Sequence, residues 1–381
     1  MNDNQPPQKF FLKDHLFNRQ KVAKIAQEIK RVYPAFDAQK FTGQAVAKFP
    51  SLELKARIGW IAECLKQSLP SDYPSAIAVL LKSLPHPNDP SLSDDDFGDF
   101  IYAPYADFVA RYGCNRGSLK RSLKALKEIT MRFSAEDAIR YFINAFPEET
   151  LGVLQEWSSD NNYHVRRLCS EGTRPKLPWS QKLNIPVSEP LPILDKLFYD
   201  PTRYVTRSVA NHINDISKSD PDLAIEILTR WRDSKKQNPK EMEYILKHAL
   251  RTLVKDGNRE AIHLLGFSQA RHIRVTHLNL PKAVAMNTHL EFSCVIEADE
   301  DTEALVDYIL YFQNKAGELS SKKVFKLGTF SIGGKIPITL SKRHLLRQFM
   351  TTRTLYAGKH ALEIQINGVV CARAEFELHL E

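Results

Sequence analysis

Three carboxylates set the chemical question. Glu136, Glu171 and Asp215 each stand among cations in stretches that read as helices. Arg167 precedes Glu171 by four residues, so on a helix the two side chains lie one above the other. The same spacing puts Arg207, Asn211 and Asp215 on a second stripe, and Lys247, Arg251 and Lys255 on a third. Cations alone suit a polyanion such as DNA, whereas carboxylates among them weaken phosphate binding. The acids make sense where something cationic must be stabilised. Cleavage of an N-glycosidic bond meets that need, because the sugar becomes oxocarbenium-like in the transition state. An N3-methylated adenine or cytosine already carries positive charge and leaves without protonation. A carboxylate beside it stabilises the cation, positions water and acts as general base. Two plainer readings stand next to this one. Arg167 and Glu171 also fit a simple intrahelical ion pair, worth roughly 0.3–0.5 kcal/mol, and Trp179 after Leu177-Pro178 also fits a packing anchor.

Other chemistries lack their residues. The chain has no Gly-rich phosphate loop, no Ser nucleophile elbow and no H-E-x-x-H. His164, His212 and His248 have no neighbours at metal-ligand spacing, so neither metal nor cofactor is expected. The five cysteines are scattered, odd in number and without a C-x-x-C pair, which fits a reducing cytoplasm. No apolar run approaches the roughly 20 residues of a membrane span, and Met1 to Gln8 lacks the apolar core of a signal peptide. A net charge of +8 suits a polyanionic partner.

The elements that must hold these residues come in two kinds. Up to about residue 267 the apolar spacing is helical: Leu12 to Val32, Phe41 to Phe49, Leu52 to Leu69, Tyr73 to Leu84, Phe97 to Arg111 and Ser118 to Met131. Pro85 to Asp96, Pro-rich and then acidic, reads as a solvated loop. Ser134 reads as an N-cap, with Asp137 completing a weak capping box. Asp160 with Val165-Arg166-Arg167-Leu168-Cys169 recurs 40 residues later as Asp200 with Val205-Thr206-Arg207-Ser208-Val209, and a further 40 gives Ile245-Leu246-Lys247-His248-Ala249. Helical units at that interval mark a HEAT-like solenoid, whose polar stripes line one open face. The first helices of the later pairs are Leu191 to Tyr199 and Leu223 to Trp231, and Gly257 to Leu265 closes the array.

After Gly266 the period changes to two. His272 to Leu280, Leu290 to Ile296, Leu305 to Phe312, Lys322 to Phe330, Lys335 to Leu340, His360 to Ile366 and Val369 to Leu380 are rich in Val, Ile, Phe and Tyr. Asn367-Gly368 forms a two-residue hairpin turn. Strands this short and close suggest an immunoglobulin-like β-sandwich. The expected architecture is therefore multi-domain: an all-α HEAT-like repeat solenoid over 1–267, then an immunoglobulin-like β-sandwich over 268–381.

The runs Arg132-Phe133-Ser134-Ala135-Glu136-Asp137-Ala138-Ile139-Arg140 and His164 through Leu168-Cys169-Ser170-Glu171-Gly172-Thr173-Arg174-Pro175 to Trp179 resemble the AlkC-type DNA alkylation-repair glycosylases. So do Arg207 through Ile216 and His248 through Lys255. The likeness covers about residues 10 to 267, and the sandwich resembles the immunoglobulin-like extension of some members. The resemblance implies a monomeric, monofunctional glycosylase of base excision repair. Its substrate would be 3-methylcytosine or 3-methyladenine in double-stranded DNA, removed without full base flipping. It makes Glu136, Glu171 and Asp215 the acidic site residues. Trp179 would contact the lesion nucleotide, and Arg167 would shape the site or hold backbone. Arg174, Arg207, Asn211, Lys247, Arg251 and Lys255 complete the DNA-binding set. Thr206, Asp137 and Tyr141 depart from the family pattern, which bears on affinity or lesion preference. The rival reading is a non-catalytic HEAT scaffold. It accounts for the repeat and the charge, but not for carboxylates set among the cations.

Overall fold

Several helices begin where a polar cap meets an apolar stripe. Asn18, Asp37, Asp72, Asn162 and Asn258 each offer a side-chain oxygen to a backbone N–H of the first turn, a donor that the helix leaves open. The computed structural model describes residues 11–380 except 90, 93, 95, 96, 269, 351 and 352. The Met1 to Gln8 segment lies outside the described residues, as do four positions of the Pro85 to Asp96 loop.

The helices run in order as α1 (Leu12–Leu16), α2 (Arg19–Val32), α3 (Ala38–Ala47), α4 (Leu54–Ser68), α5 (Tyr73–Ser83), α6 (Ala103–Gly113), α7 (Leu119–Thr130) and α8 (Glu136–Ala145). They continue as α9 (Pro147–Trp157), α10 (Tyr163–Glu171), α11 (Leu191–Leu197), α12 (Arg203–Ile216), α13 (Pro221–Ser234), α14 (Pro239–Ala249), α15 (Arg251–Lys255) and α16 (Arg259–Leu264). Two expected helices differ. Leu12 to Val32 is split, because Asn18 caps a new helix. Phe97 to Arg111 begins late, since Phe100–Tyr102 is a 3₁₀ turn before α6.

The chain forms two compact units, Met1–Ile216 with Ser234–Ile245 and Ser217–Asp233 with Leu246–Glu381. In the first unit the 40-residue repeat is a stack of helix pairs. Inner helices α10 and α12 pack together, and outer helices α9 and α11 do likewise. Val165, Leu168 and Cys169 are buried, as are Val205, Ser208 and Val209, so the aligned positions do share a core face. The repeated aspartate locks one repeat to another. Asp200 accepts from Arg166 Nε at 2.5 Å and Nη2 at 3.0 Å, while Asp160 pairs with Lys127 at 2.5 Å.

Ile245, Ala249 and Leu250 are buried as the offset predicts. The helix nevertheless breaks at Leu250, between α14 and α15. Arg251 Nη1 donates to the His248 carbonyl, the oxygen an unbroken helix offers to the N–H four residues on. Lys247 and Arg251 therefore stand on separate helices, not on one continuous stripe.

The second unit holds the β-structure. Its strands are β1 (Ile273–Asn279), β2 (Ala283–Ala285), β3 (His289–Ala298), β4 (Thr302–Gln313), β5 (Leu319–Ile332), β6 (Ile338–Leu345), β7 (Phe349–Met350), β8 (Arg353–Thr354), β9 (Gly358–Ile366) and β10 (Val369–His379). Sheet orders are β1-β3-β6 and β2-β10-β9-β4-β5, with β7-β8 a short ribbon. Every strand read from the sequence is present with shifted ends, and β2, β7 and β8 are additional. Leu290, Cys294 and Ile296 of one sheet share a buried cluster with Val306, Leu310, Leu362 and Ile364 of the other. Two sheets closed over one apolar layer make an immunoglobulin-like sandwich. At the β9–β10 turn Asn367 and Gly368 have φ of 44° and 79°. Both values are positive, as the tight hairpin requires.

Candidate active site

Three consecutive inner elements of the first unit supply the site. α8 opens with Glu136, α10 closes with Glu171, and Asp215 lies in the last turn of α12. Between them two guanidinium groups alternate with the three carboxylates. Arg167 Nη1 donates to Glu136 Oε2 at 2.8 Å, and its Nη2 stands 3.7 Å from Glu171 Oε2. Arg174 Nη1 donates to Glu171 Oε1 at 2.6 Å. Arg174 Nε and Nη2 approach Asp215 Oδ2 at 2.9 and 2.8 Å. The row carries one net negative charge, since three carboxylates meet two guanidinium groups.

The sequence places these acids on an open face, but here Glu171 and Asp215 are covered while Glu136 is half-buried. Glu171 is 5% exposed and Asp215 1%. The cause lies outside the repeat: Arg174 leaves the end of α10 and lies across both carboxylates. Asp215 therefore pairs with Arg174.

Ser134 is also used differently from its expected role. Ala135, not Ser134, occupies the α8 cap, with no side-chain cap bond. The Ser134 hydroxyl donates to Glu136 Oε2 and accepts from Arg167 Nη1 at 2.9 Å. Its partner preference follows charge, because hydrogen bonds to ionised groups are stronger than neutral ones.

Glu171 remains a carboxylate. Burial pushes its pKa up, but Arg167, Arg174 and the Ser208 hydroxyl outweigh this and hold it below the ordinary value. Ser208 Oγ donates to Glu171 Oε2 at 2.6 Å. His212 lies beneath, with Nδ1 3.1 Å from the Ser170 carbonyl oxygen. Since that oxygen only accepts, Nδ1 carries the proton. Burial pushes His212 down to about 4, so it is neutral at physiological pH.

Two residues that spacing did not single out shape the exit from α10. Arg140 is buried and donates to the backbone oxygens of Gln181 (2.7 Å), Gly172 (3.1 Å) and Arg174 (2.7 Å). Its only sequence signal is an arginine beside Ile139 on an apolar helical stripe. Gly172 allows α8 and α10 to approach, as a Cβ there would meet Ile139 Cγ2 at 2.5 Å and the Leu168 carbonyl oxygen at 2.9 Å.

Trp179 does not anchor packing. It is 84% exposed and has φ of 62°, a left-handed conformation unusual for a bulky residue. Lys55 Nζ donates to its carbonyl oxygen. Trp179 stands at a cleft of ≈780 Å³ that also reaches Glu136 but is not lined by Glu171 or Asp215. Arg207 is half-buried, pairs with Asp94 and lies with its guanidinium carbon 6.0 Å from the Tyr204 ring. The Pro85 to Asp96 loop is thus tied to α12 at Asp94. Asn211 is half-buried, and Lys247 and Lys255 are exposed on the helices described above. Among the described residues no His, Cys, Asp and Glu group forms a metal-binding cluster.

Residues 274–380 match the family described as the C-terminal Ig-like domain of the uncharacterised protein YhaZ. The YhaZ protein of Bacillus subtilis (strain 168) is 32% identical over 368 residues, covering 95% of this chain and 98% of that one. A solved structure of Pseudomonas fluorescens alkylpurine DNA glycosylase AlkC, bound to DNA containing an abasic site analog, matches with TM-score 0.86. It is 36% identical, covering 97% of this chain and 99% of that chain. This chain belongs to the AlkC-type family of DNA alkylation-repair glycosylases, a HEAT-like helical repeat followed by an immunoglobulin-like domain.

Proposed function

We propose that this protein is a monofunctional DNA glycosylase of base excision repair, acting on cationic N3-methylated bases, 3-methylcytosine and 3-methyladenine, without full base flipping. The observation that carries this reading is the row Glu136–Arg167–Glu171–Arg174–Asp215, buried from Arg167 to Asp215, with its one net negative charge. A phosphate grip needs only cations. A carboxylate such as Glu171, kept ionised inside such a row, suits a reaction that develops positive charge on a sugar.

Glu171 and Asp215 stabilise the oxocarbenium-like sugar and orient the attacking water. The C1′–N bond breaks and its electron pair leaves with the base, which becomes neutral. Water adds to C1′ and loses a proton to a carboxylate, leaving an abasic site. No proton need be supplied to the base, in keeping with a Glu171 held ionised. Glu136 and Ser134 fix Arg167, which shapes the site. Arg174 sets the two catalytic carboxylates. Trp179 meets the lesion nucleotide, Arg207 and Asn211 flank it, and Lys247, Arg251 and Lys255 provide salt-sensitive phosphate contacts.

We take residues 1–267 as the glycosylase domain and 268–381 as the sandwich domain. In support, α16 ends at Leu264 and the matched immunoglobulin-like region starts at residue 274. The direct test is release of 3-methylcytosine and 3-methyladenine from methylated duplex DNA against an undamaged control. Release of methylated bases alone is expected. Absence of release under conditions of demonstrated DNA binding would favour the scaffold reading instead.

A further inference from the structure

Beside the row of charges, the first unit contains a cleft that shares Glu136 and Trp179 with the proposed excision step but not Glu171 or Asp215. α6 turns Ala103, Ala106 and Ala110 to one face, which forms the floor of the ≈780 Å³ cleft. Small side chains at that spacing leave room where larger ones would fill it. Rings of Phe100, Phe133, Tyr141 and Trp179 stand around this floor. Phe100 and Phe133 pack with centroids 4.5 Å apart, while Tyr141 and Trp179 are 40% and 84% exposed. The first two form a fixed wall, and the other two present free ring surface.

The polar groups of the cleft are mostly acceptors. Glu53, Asp107, Glu136 and Asp137 line it with one cation, Lys55, whereas Arg111 and Arg167, which pair with Asp107 and Glu136, do not. Asp137 Oδ2 is 3.2 Å from Lys55 Nζ, and its other oxygen is buried without a hydrogen-bond partner among the described residues. The lining carboxylates outnumber the single lining cation, so a cationic guest is electrostatically favoured there. Phosphate would be disfavoured for the same reason.

We propose that this cleft binds the free N-alkylated base, as a site separate from the carboxylates that act on the sugar. The inference rests on the glycosylase reading. A planar heteroaromatic would stack on Tyr141 and Trp179 and turn its exocyclic amino group towards the lining carboxylates Asp137 and Glu136. Both 3-methyladenine and 3-methylcytosine carry such an amino group. N3-methylation also makes them stronger ring bases than their parents, so they protonate more readily against carboxylates and ring faces. The cleft meets the row of charges at Glu136, which places it where a departing base can be received.

The test is equilibrium dialysis of the full-length protein with radiolabelled 3-methyladenine and 3-methylcytosine, against adenine and cytosine. Saturable one-site binding of the methylated bases is expected, weakened about tenfold in Asp137→Asn and in Tyr141→Ala. Trp179→Ala is the companion variant, since a side chain so exposed is not needed for folding, and it too should weaken binding. Melting temperatures identify any variant that has lost its fold. No saturable binding by the wild type would overturn the proposal, as would undiminished binding by folded variants. Excision from alkylated DNA is measured on the same preparation. Excision without free-base binding sinks this inference alone, whereas binding without excision sinks the function proposed above.

Discussion

Arg174 Nη1 donates to Glu171 Oε1 at 2.6 Å, and both side chains are buried. The same guanidinium reaches Asp215. A resident cation thus spans the two carboxylates proposed to stabilise a cationic sugar. It helps keep Glu171 ionised in the free protein and fixes the spacing of the two carboxylates. Electrostatic catalysis benefits from such preorganisation, because nothing need reorient as charge develops.

Arg174→Met should expose the cost of that arrangement. It leaves Glu171 and Asp215 buried without the guanidinium that joins them. Breaking a buried ion pair from one side costs about 3–5 kcal/mol. Chemical denaturation should show a loss of that order, together with lost excision. An unchanged denaturation midpoint would show that the bridge carries little.

The pH profile follows from Glu171. Burial raises its pKa, but Arg167, Arg174 and Ser208 more than reverse this. A carboxyl whose folded pKa is depressed contributes stability present above its unfolded value, and loses it as pH falls through the folded one. Single-turnover excision should therefore be flat from about pH 8 to about pH 5 and decline only below. A rate that climbs as pH falls across that span would mean that a protonated carboxyl drives the reaction.

Gly172→Ala tests the approach of α8 to α10. The added methyl would meet Ile139 Cγ2 at 2.5 Å and a backbone oxygen at 2.9 Å. The β-branched Ile139 has little freedom to turn aside. Overpacking of this kind costs about 1–3 kcal/mol. Thermal melting should fall accordingly, and excision should fall more than stability alone explains, because Glu171 is the preceding residue. A variant as stable as wild type would show that the two helices can separate freely.

In the second unit, burial pushes the Asp307 carboxyl up to about 6, with Lys326 and Lys255 acting in the opposite direction. A carboxyl with a raised folded pKa favours the protonated form in the fold. Stability is then highest below the unfolded pKa and declines as pH rises towards the folded one. Asp307→Asn should remove that decline and stabilise the protein at pH 8 by about 2–3 kcal/mol. Equal stability of wild type and variant at pH 8 would show that the buried carboxylate is well compensated.

Much of the fold is legible because burial repeats with the side chains. Val165 and Val205 are both fully buried, 40 residues apart, and the period-two stretches after Gly266 became strands. The break at Leu250 is not legible, since it accompanies an arginine side chain competing for a backbone carbonyl. The site is legible in its acids but not in their burial. Arg174 comes from the loop after α10, so no helical stripe predicts that it covers Glu171 and Asp215. Ser134 looks like a cap by position, yet the folded chain brings it Arg167, a stronger partner. Arg140 and Ser208 gave no signal by spacing because their partners are 32 or more residues away.

The most direct measurement compares binding with chemistry in Glu171→Gln. The amide keeps the shape and can still accept from Ser208, but it removes the charge proposed to stabilise the sugar. Affinity for DNA containing an abasic-site analogue should stay within about twofold, because Glu171 grips no phosphate. Single-turnover release of 3-methylcytosine should fall by about 100-fold or more. Release at close to the wild-type rate would contradict the account.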